Sequence, residues 1–428
     1  MRRARCAWLL LVALLAGVSP APAQTPTPTP IPTTTEGWQD EVREMLRRRA
    51  AAVVTGDERT FMATMSDAPA GFRHDRQAWF RRSRALPIGV YRLDFTEDEF
   101  GEVTRPIDRE HHSGREVHVI QVKQRIGFRG YDVRPSAEDL FLTVVKGSGG
   151  WSVVSDDDVE SLALQSTREL WDFGAVSKLE SDGLMVVFHP SERSAAARVL
   201  STAKAARASV RRQWPLAWKE DRIVIMIPST VSELARILQT TFDLSTFVAF
   251  AAASVDRSTT WQLSGSRIFL HWPNFRRQGA ASQRIILQHE FLHRASFEVS
   301  GPHLTSIFDE GIAQYYGEAL YNPPTPELRQ RVRNKRFDNR LVRDFVFTIG
   351  PPSDIYLAYE EAVDFIAYIG GRFGRNAGAR LFRTLGTENP VSPGTWRYHL
   401  DRACRSVLKI PFSMLERDWA RTVVRELS

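Results

Sequence analysis

His289-Glu290-Phe291-Leu292-His293 sets two imidazoles four residues apart with a carboxylate beside the first. Residues four apart on an α-helix lie one above the other. Both rings then converge on one point, at the roughly 2.0–2.1 Å that nitrogen ligands keep from zinc. Glu290 falls beside such an ion rather than on it, placed to take a proton from a water whose pKa the zinc lowers towards about 7.

A catalytic zinc needs a third protein ligand and an open position. The metzincin arrangement requires glycine at 296 and a ligand at 299, and Ser296 and Val299 exclude it. His303 sits in Gly301-Pro302-His303, a turn with no helix to fix the ring. Glu310 is preferred. It opens Glu310-Gly311-Ile312-Ala313-Gln314-Tyr315-Tyr316, a second helical run in which Gly311 and Ala313 permit close approach. The plain alternative is a buried helix with two satisfied histidines, but burying His-Glu and His on one inward face without an ion is costly.

At these positions the chain resembles the gluzincin metallopeptidases, and among them the peptidase MA-like domains. The shared pattern is His289, Glu290 and His293, a spacer, then Phe308, Glu310, Gly311, Ala313 and Tyr315, with Phe308 standing where tryptophan is common. The likeness extends over about residues 184–419 and takes in Tyr359, Ala362, Phe365, Tyr368, Gly374 and Trp419. It implies a zinc peptidase fold with an α/β upper part and a helical lower part. An edge strand at 267–272 would bind an extended peptide by strand pairing. It also implies a tyrosine that stabilises the oxyanion, with Tyr359 the first candidate and Tyr356 the second. Asp309 or Gln314 would orient a histidine.

The elements that must position this site follow from periodicity. Leu184–Phe188 and 222–227 read as strands, 194–213 as an alanine-rich helix, 267–272 as a strand and the motif helix starts near Ala281. Phe247 to Val255 is too short to span a membrane and reads as core or cleft lining. Ahead of Asp156-Asp157-Asp158, a domain boundary, lies an α+β unit. Val42, Met45, Leu46, Val53, Phe61 and Met65 recur at helical spacing, Gly56-Asp57 breaks the run, and a second helix near Asp75 carries Trp79 and Phe80. The period then changes to two around Val117–Ile126, Leu140–Val144 and Trp151–Val153. In size and order residues 38–158 resemble the cone-shaped nuclear-transport-factor-like fold, and 159–428 form the peptidase domain.

The remaining signals bound location and partners. Arg2, Arg3 and Arg5, the apolar run Cys6–Val18 and Ala21-Pro22-Ala23 read as a cleaved signal peptide over 1–23, followed by a threonine-proline spacer over 24–37. The expectation is a secreted or cell-envelope protein of bacterial type, with no stable membrane insertion after cleavage. Removing the leader takes three arginines from the formal charge of +7, too weak a bias for nucleic acid. Arg47-Arg48-Arg49 and Arg81-Arg82 read as solvated helix faces, and His111-His112 with His118 as a solvated loop leading into a strand. Of the two cysteines only Cys404 survives cleavage, so no intrachain disulfide forms.

The functional expectation is a secreted zinc metallopeptidase acting on peptides or proteins. The alternative is a cell-envelope scaffold that keeps its zinc without proteolysis. Leu263-Ser264-Gly265-Ser266 reads as a turn and not as a glycine-rich exopeptidase signature, which favours an endopeptidase.

Overall fold

The computed structural model describes residues 36–428 apart from 96–114, 161–163, 220, 241–242, 246, 257–261, 318–324, 342–346, 348–350 and 389–393. The leader, most of the spacer and His111-His112 lie outside the described residues. The chain is α+β. Among the described residues no helix is long and apolar enough to cross a membrane.

Three helices, α1 (Glu36–Thr55), α2 (Glu58–Ala63) and α3 (Ala70–Ser83), precede an antiparallel meander of β1 (Ile88–Phe95), β2 (Val117–Phe128), β3 (Ser136–Gly147) and β4 (Gly150–Ser155), in the sheet order β1-β2-β3-β4. Asp57 caps α2 by accepting the Thr60 amide, and Gly56 takes the left-handed turn (φ 81°) that lets α1 end there. The helical apolar stripe of Val42, Met45, Leu46, Val53 and Phe61 packs into one core with the inward residues of the sheet, such as Ile120, Val122, Ile126 and Phe128. This packing continues past the Asp156 run. In the short helix α4 (Leu170–Phe173), Trp171 is fully buried with its ring centroid 6.2 Å from those of Trp79 and Phe128.

The second sheet has the order β5-β6-β7-β9-β8, from β5 (Ser177–Ser181), β6 (Leu184–Phe188), β7 (Ile223–Ile227), β8 (Ala249–Asp256) and β9 (Gln262–Leu270). The strands β6, β7 and β9 run parallel, while β5 and β8 close the two edges antiparallel. Every residue of β6 and β7 is buried, as a parallel core covered on both faces requires. The helices α5 (Arg193–Gln213) and α6 (Val231–Ile237) connect the strands, and a four-residue helix α7 (Trp272–Phe275) follows β9. Then come α8 (Ala280–Ser296), α9 (Ser306–Gly317), α10 (Pro326–Arg333), α11 (Pro352–Phe373), α12 (Ala377–Gly386), α13 (Trp396–Val407) and α14 (Phe412–Leu427).

Three expectations change here. The strand expected as the free edge, 267–272, is β9, which lies inside the sheet, and the edge is β8, the segment read only as core or cleft lining. Leu263-Ser264-Gly265-Ser266 is part of β9 and not a turn, although Gly265 has φ 57°. Arg49 is not solvated. It is 5% exposed, donates to Thr64 Oγ1 at 2.8 Å and lies 4.1 Å over the Phe61 ring, while Arg82 donates to the Trp171 and Asp172 carbonyls.

The two sheets meet through specific contacts. Arg267 of β9 holds Asp132 with both guanidinium nitrogens, at 2.5 and 2.6 Å, and stacks 4.5 Å over Phe128. The Gly265 amide donates to the Arg134 carbonyl at 3.0 Å, and a Cβ at Gly265 would fall 2.4 Å from Ser136. The Ala137 amide of β3 donates to Ser254 Oγ of β8 at 3.0 Å, and that hydroxyl donates to Glu138.

Candidate metal centre

The helix α8 is buried from Ile286 to its end, so His289, Glu290 and His293 enter the interior on a helix that has little freedom to turn. Against it lies α9, with Glu310 one turn from the start of the helix. Two glycines set α9 in place. A Cβ at Gly317 would come within 3.1 Å of Gln288 O and His289 Cα, and one at Gly311 within 2.5 Å of the Ala362 carbonyl of α11. The close approach expected of Gly311 is therefore to α11, and Gly317 makes the corresponding approach to α8.

Three ligand atoms meet at this crossing. His289 Nε2 lies 2.9 Å from His293 Nε2 and 3.2 Å from Glu310 Oε2, and His293 Nε2 lies 3.6 Å from the same oxygen. Ligands about 2.0–2.2 Å from a tetrahedral ion stand roughly 3.3 Å apart, so this triangle fits one ion bound by all three. The contact between the two ring nitrogens makes the same point from the other side. Facing lone pairs at 2.9 Å repel unless a proton or a cation lies between them. All three residues are buried, and among the described residues they are the one group of this kind that could hold a metal ion. His303 is elsewhere, stacked on His399 with centroids 3.8 Å apart.

The surroundings bias the charges. Burial alone would lower His293, but Asp309 and Glu310 outweigh it and raise the ring to about 10. Asp309 Oδ1 is 3.4 Å from His293 Nδ1, so of Asp309 and Gln314 it is Asp309 that meets this ring. His289 is lowered by burial, against the pull of Glu310. Burial would raise Glu310, but the two histidines overcome it and hold its carboxyl down at about 2.

Glu290 is fully buried, and neither carboxylate oxygen accepts a close hydrogen bond. Burial pushes it up to about 8, with His293 acting in the opposite direction. The Ala251 amide of β8 faces it. His271 N bonds Val248 O at 2.9 Å, so by strand alternation residues 250 and 252 bond β9, while Ala249 and Ala251, both fully buried, turn their amides and carbonyls to the side that no strand pairs. The polar edge of β8 therefore runs directly beside the carboxylate of Glu290.

Tyr359 of α11 is 3% exposed, and its hydroxyl faces Glu310 and Glu290; burial first and then these carboxylates raise it well above its ordinary value. It stands one turn before Ala362, the residue against which Gly311 packs. Tyr356 is half-buried against the general core.

No family model matches this chain, and no curated protein matches it significantly. The chemistry open to the site is set by its own atoms. A converging His-His-Glu set stands beside a buried carboxyl, a buried phenol and the edge strand β8.

Proposed function

We propose that this chain is an exported zinc-dependent metallopeptidase of gluzincin type. The observation that carries the reading is the triangle of His289, His293 and Glu310 with Glu290 buried beside it, lacking a close hydrogen-bond donor. Two imidazoles and one carboxylate are a donor set that suits zinc with a fourth position open. When bound, the zinc ion supplies a Lewis acid for a carbonyl and for water.

The chain's own groups do the rest. Glu290 takes the proton of the attacking water and passes it to the leaving amine. Tyr359 donates its hydroxyl towards negative charge developing on the carbonyl oxygen. Asp309 keeps His293 in the orientation in which Nε2 points to the ion. The basic, apolar and small-residue sequence of 1–23 supports export, and three helices ahead of a four-stranded meander support a nuclear-transport-factor-like N-terminal unit.

Elemental analysis of the mature protein, with casein hydrolysis in parallel, tests the reading. One zinc per chain is expected in the wild type and in Glu290→Gln, and none in His293→Ala. Hydrolysis should fall by at least about 100-fold in Glu290→Gln, the contribution of a general base. Absence of metal from the wild type would overturn the proposal, and stoichiometric zinc without hydrolysis would favour the scaffold.

A further inference from the structure

A groove of about 470 Å³ lies between α5 and α8. From α5 it takes Ala205, Ala208, Ser209 and Arg212, the i, i+3, i+4, i+7 stripe of that helix, and from α8 it takes Arg284, Ile285 and Gln288. The trough exists because the α5 stripe is small: two methyl groups and a hydroxymethyl stand where larger side chains would fill the space between the helices. Arg284 and Gln288 share one face of α8, a turn apart. His289 and His293 occupy the next face, roughly 100° round the helix, so a molecule in the groove lies behind the metal ligands and not on them.

Every polar side chain that lines the groove can donate a hydrogen bond, and no carboxylate lines it. Ser209 accepts the Gln213 side-chain amide at 2.8 Å, which leaves its own hydroxyl proton for a further acceptor. Gln288 is 5% exposed, and its side-chain amide has no hydrogen-bond partner among the described residues. Arg212 and Arg284 are exposed and form no ion pair among the described residues. The other bases of this stretch of α5 are engaged: Lys204 with Asp182 at 3.2 Å, Arg207 with the Asp221 carbonyl at 3.4 Å, and Arg211 with the Asp221 carboxylate. The two uncommitted guanidinium groups are therefore the ones that line the groove.

We propose that this groove binds a phosphate monoester. Two guanidinium forks match the two charges and several acceptor oxygens of such a group, whereas a carboxylate, with one charge and two oxygens, is satisfied by one of them. The Ser209 hydroxyl and the Gln288 amide supply the remaining donors. The volume exceeds what a bare phosphate needs, and the apolar Ala205, Ala208 and Ile285 receive the organic part. A soluble phosphate ester and the headgroup of phosphatidate carry the same chemistry. The site uses none of the metal ligands, and it stands whether or not the chain is a peptidase.

Two measurements test this. Glycerol 3-phosphate, with glycerol as the neutral control, is titrated calorimetrically into the wild type, Arg212→Ala, Arg284→Ala and Gln288→Glu. The same proteins are sedimented with phosphatidylcholine vesicles that contain or lack phosphatidate. Saturable binding of glycerol 3-phosphate and none of glycerol is expected, with each arginine variant weakening it about 10- to 100-fold, the worth of a charged hydrogen bond. Gln288→Glu should abolish binding by setting a negative charge against the phosphate. Because both arginines are exposed and unpaired, the melting temperatures of their variants should match the wild type, which separates lost binding from a lost fold. Binding to phosphatidate vesicles alone, lost in the same variants, retains the site and assigns it to a lipid headgroup. Binding that the arginine variants leave unchanged, or a Kd weaker than about 10 mM for glycerol 3-phosphate with no retention on phosphatidate vesicles, overturns the proposal.

Discussion

Two regions of this molecule bury ionisable groups, and they do so in opposite ways. Behind the N-terminal sheet, Arg76 lies between Asp156 at 3.2 Å and Asp172 at 3.0 Å, Arg168 holds the other side of Asp156 at 3.1 Å, and Tyr91 bonds Gln124. Each charge there has its counter-charge. Between α8, α9 and α11, two imidazoles face each other and Glu290 accepts no close hydrogen bond. The first arrangement is complete as it stands and holds the fold together. The second leaves the Glu290 carboxyl without a close partner beside the histidine–Glu310 cluster, the arrangement on which the proposed metal site rests.

The comparison breaks most sharply at Asp156. Asp156→Ala leaves Arg168 without its carboxylate and Arg76 with Asp172 alone, and it should cost about 3–5 kcal/mol in urea unfolding while zinc content per folded chain stays the same. Loss of zinc at equal folded fraction would show that the two regions are not separate in the way described. Gly311→Ala is expected to cost about 1–3 kcal/mol, because its Cβ must push the Ala362 carbonyl aside. Because that shift carries Glu310, zinc affinity should fall with stability, measured by competition with a chelator. Tyr359→Phe removes one hydroxyl from the second region and should lower kcat by about tenfold or more with little change in KM or in melting temperature. A rise in KM alone would assign the phenol to packing.

The smallest effect concerns Glu169 at the junction. Its folded pKa of about 8 lies above the ordinary 4.5, so the fold binds the proton more tightly than the unfolded chain. That contribution is full below pH 4.5 and is lost as pH rises through 8. The wild type should therefore melt lower at about pH 8.5 than at about pH 5, and Glu169→Gln should flatten the difference by a few degrees.

Much of this was legible in the sequence where a period of four or two could be read. The pairing of His289 with His293 is helix geometry, and β6 at Leu184–Phe188 is an uninterrupted apolar run. Other elements carried weak local signals. β5, Ser-Lys-Leu-Glu-Ser, is a polar edge with no buried face, and β1 opens Ile-Gly after a proline, which reads as a turn. β8 is alanine-rich, with little strand propensity of its own, so the edge was assigned to its neighbour. Arg49 could not be told from the solvated Arg47 beside it, because the Phe61 ring that covers it comes from another helix. The contact of Ser254 with Glu138 joins residues 116 positions apart, and no local pattern marks it.

The bulged, alanine-rich strand at the edge of the second sheet has a further consequence. Bare strand edges recruit other chains as readily as substrates, and proteins generally shorten, twist or cover them. Here the register shifts between Ala252 and Ser254, and Ser254 holds the Ala137 amide and Glu138 of the meander. The N-terminal unit thereby takes up part of that edge, and a chain shortened to its second sheet and helices is expected to aggregate more readily through β8.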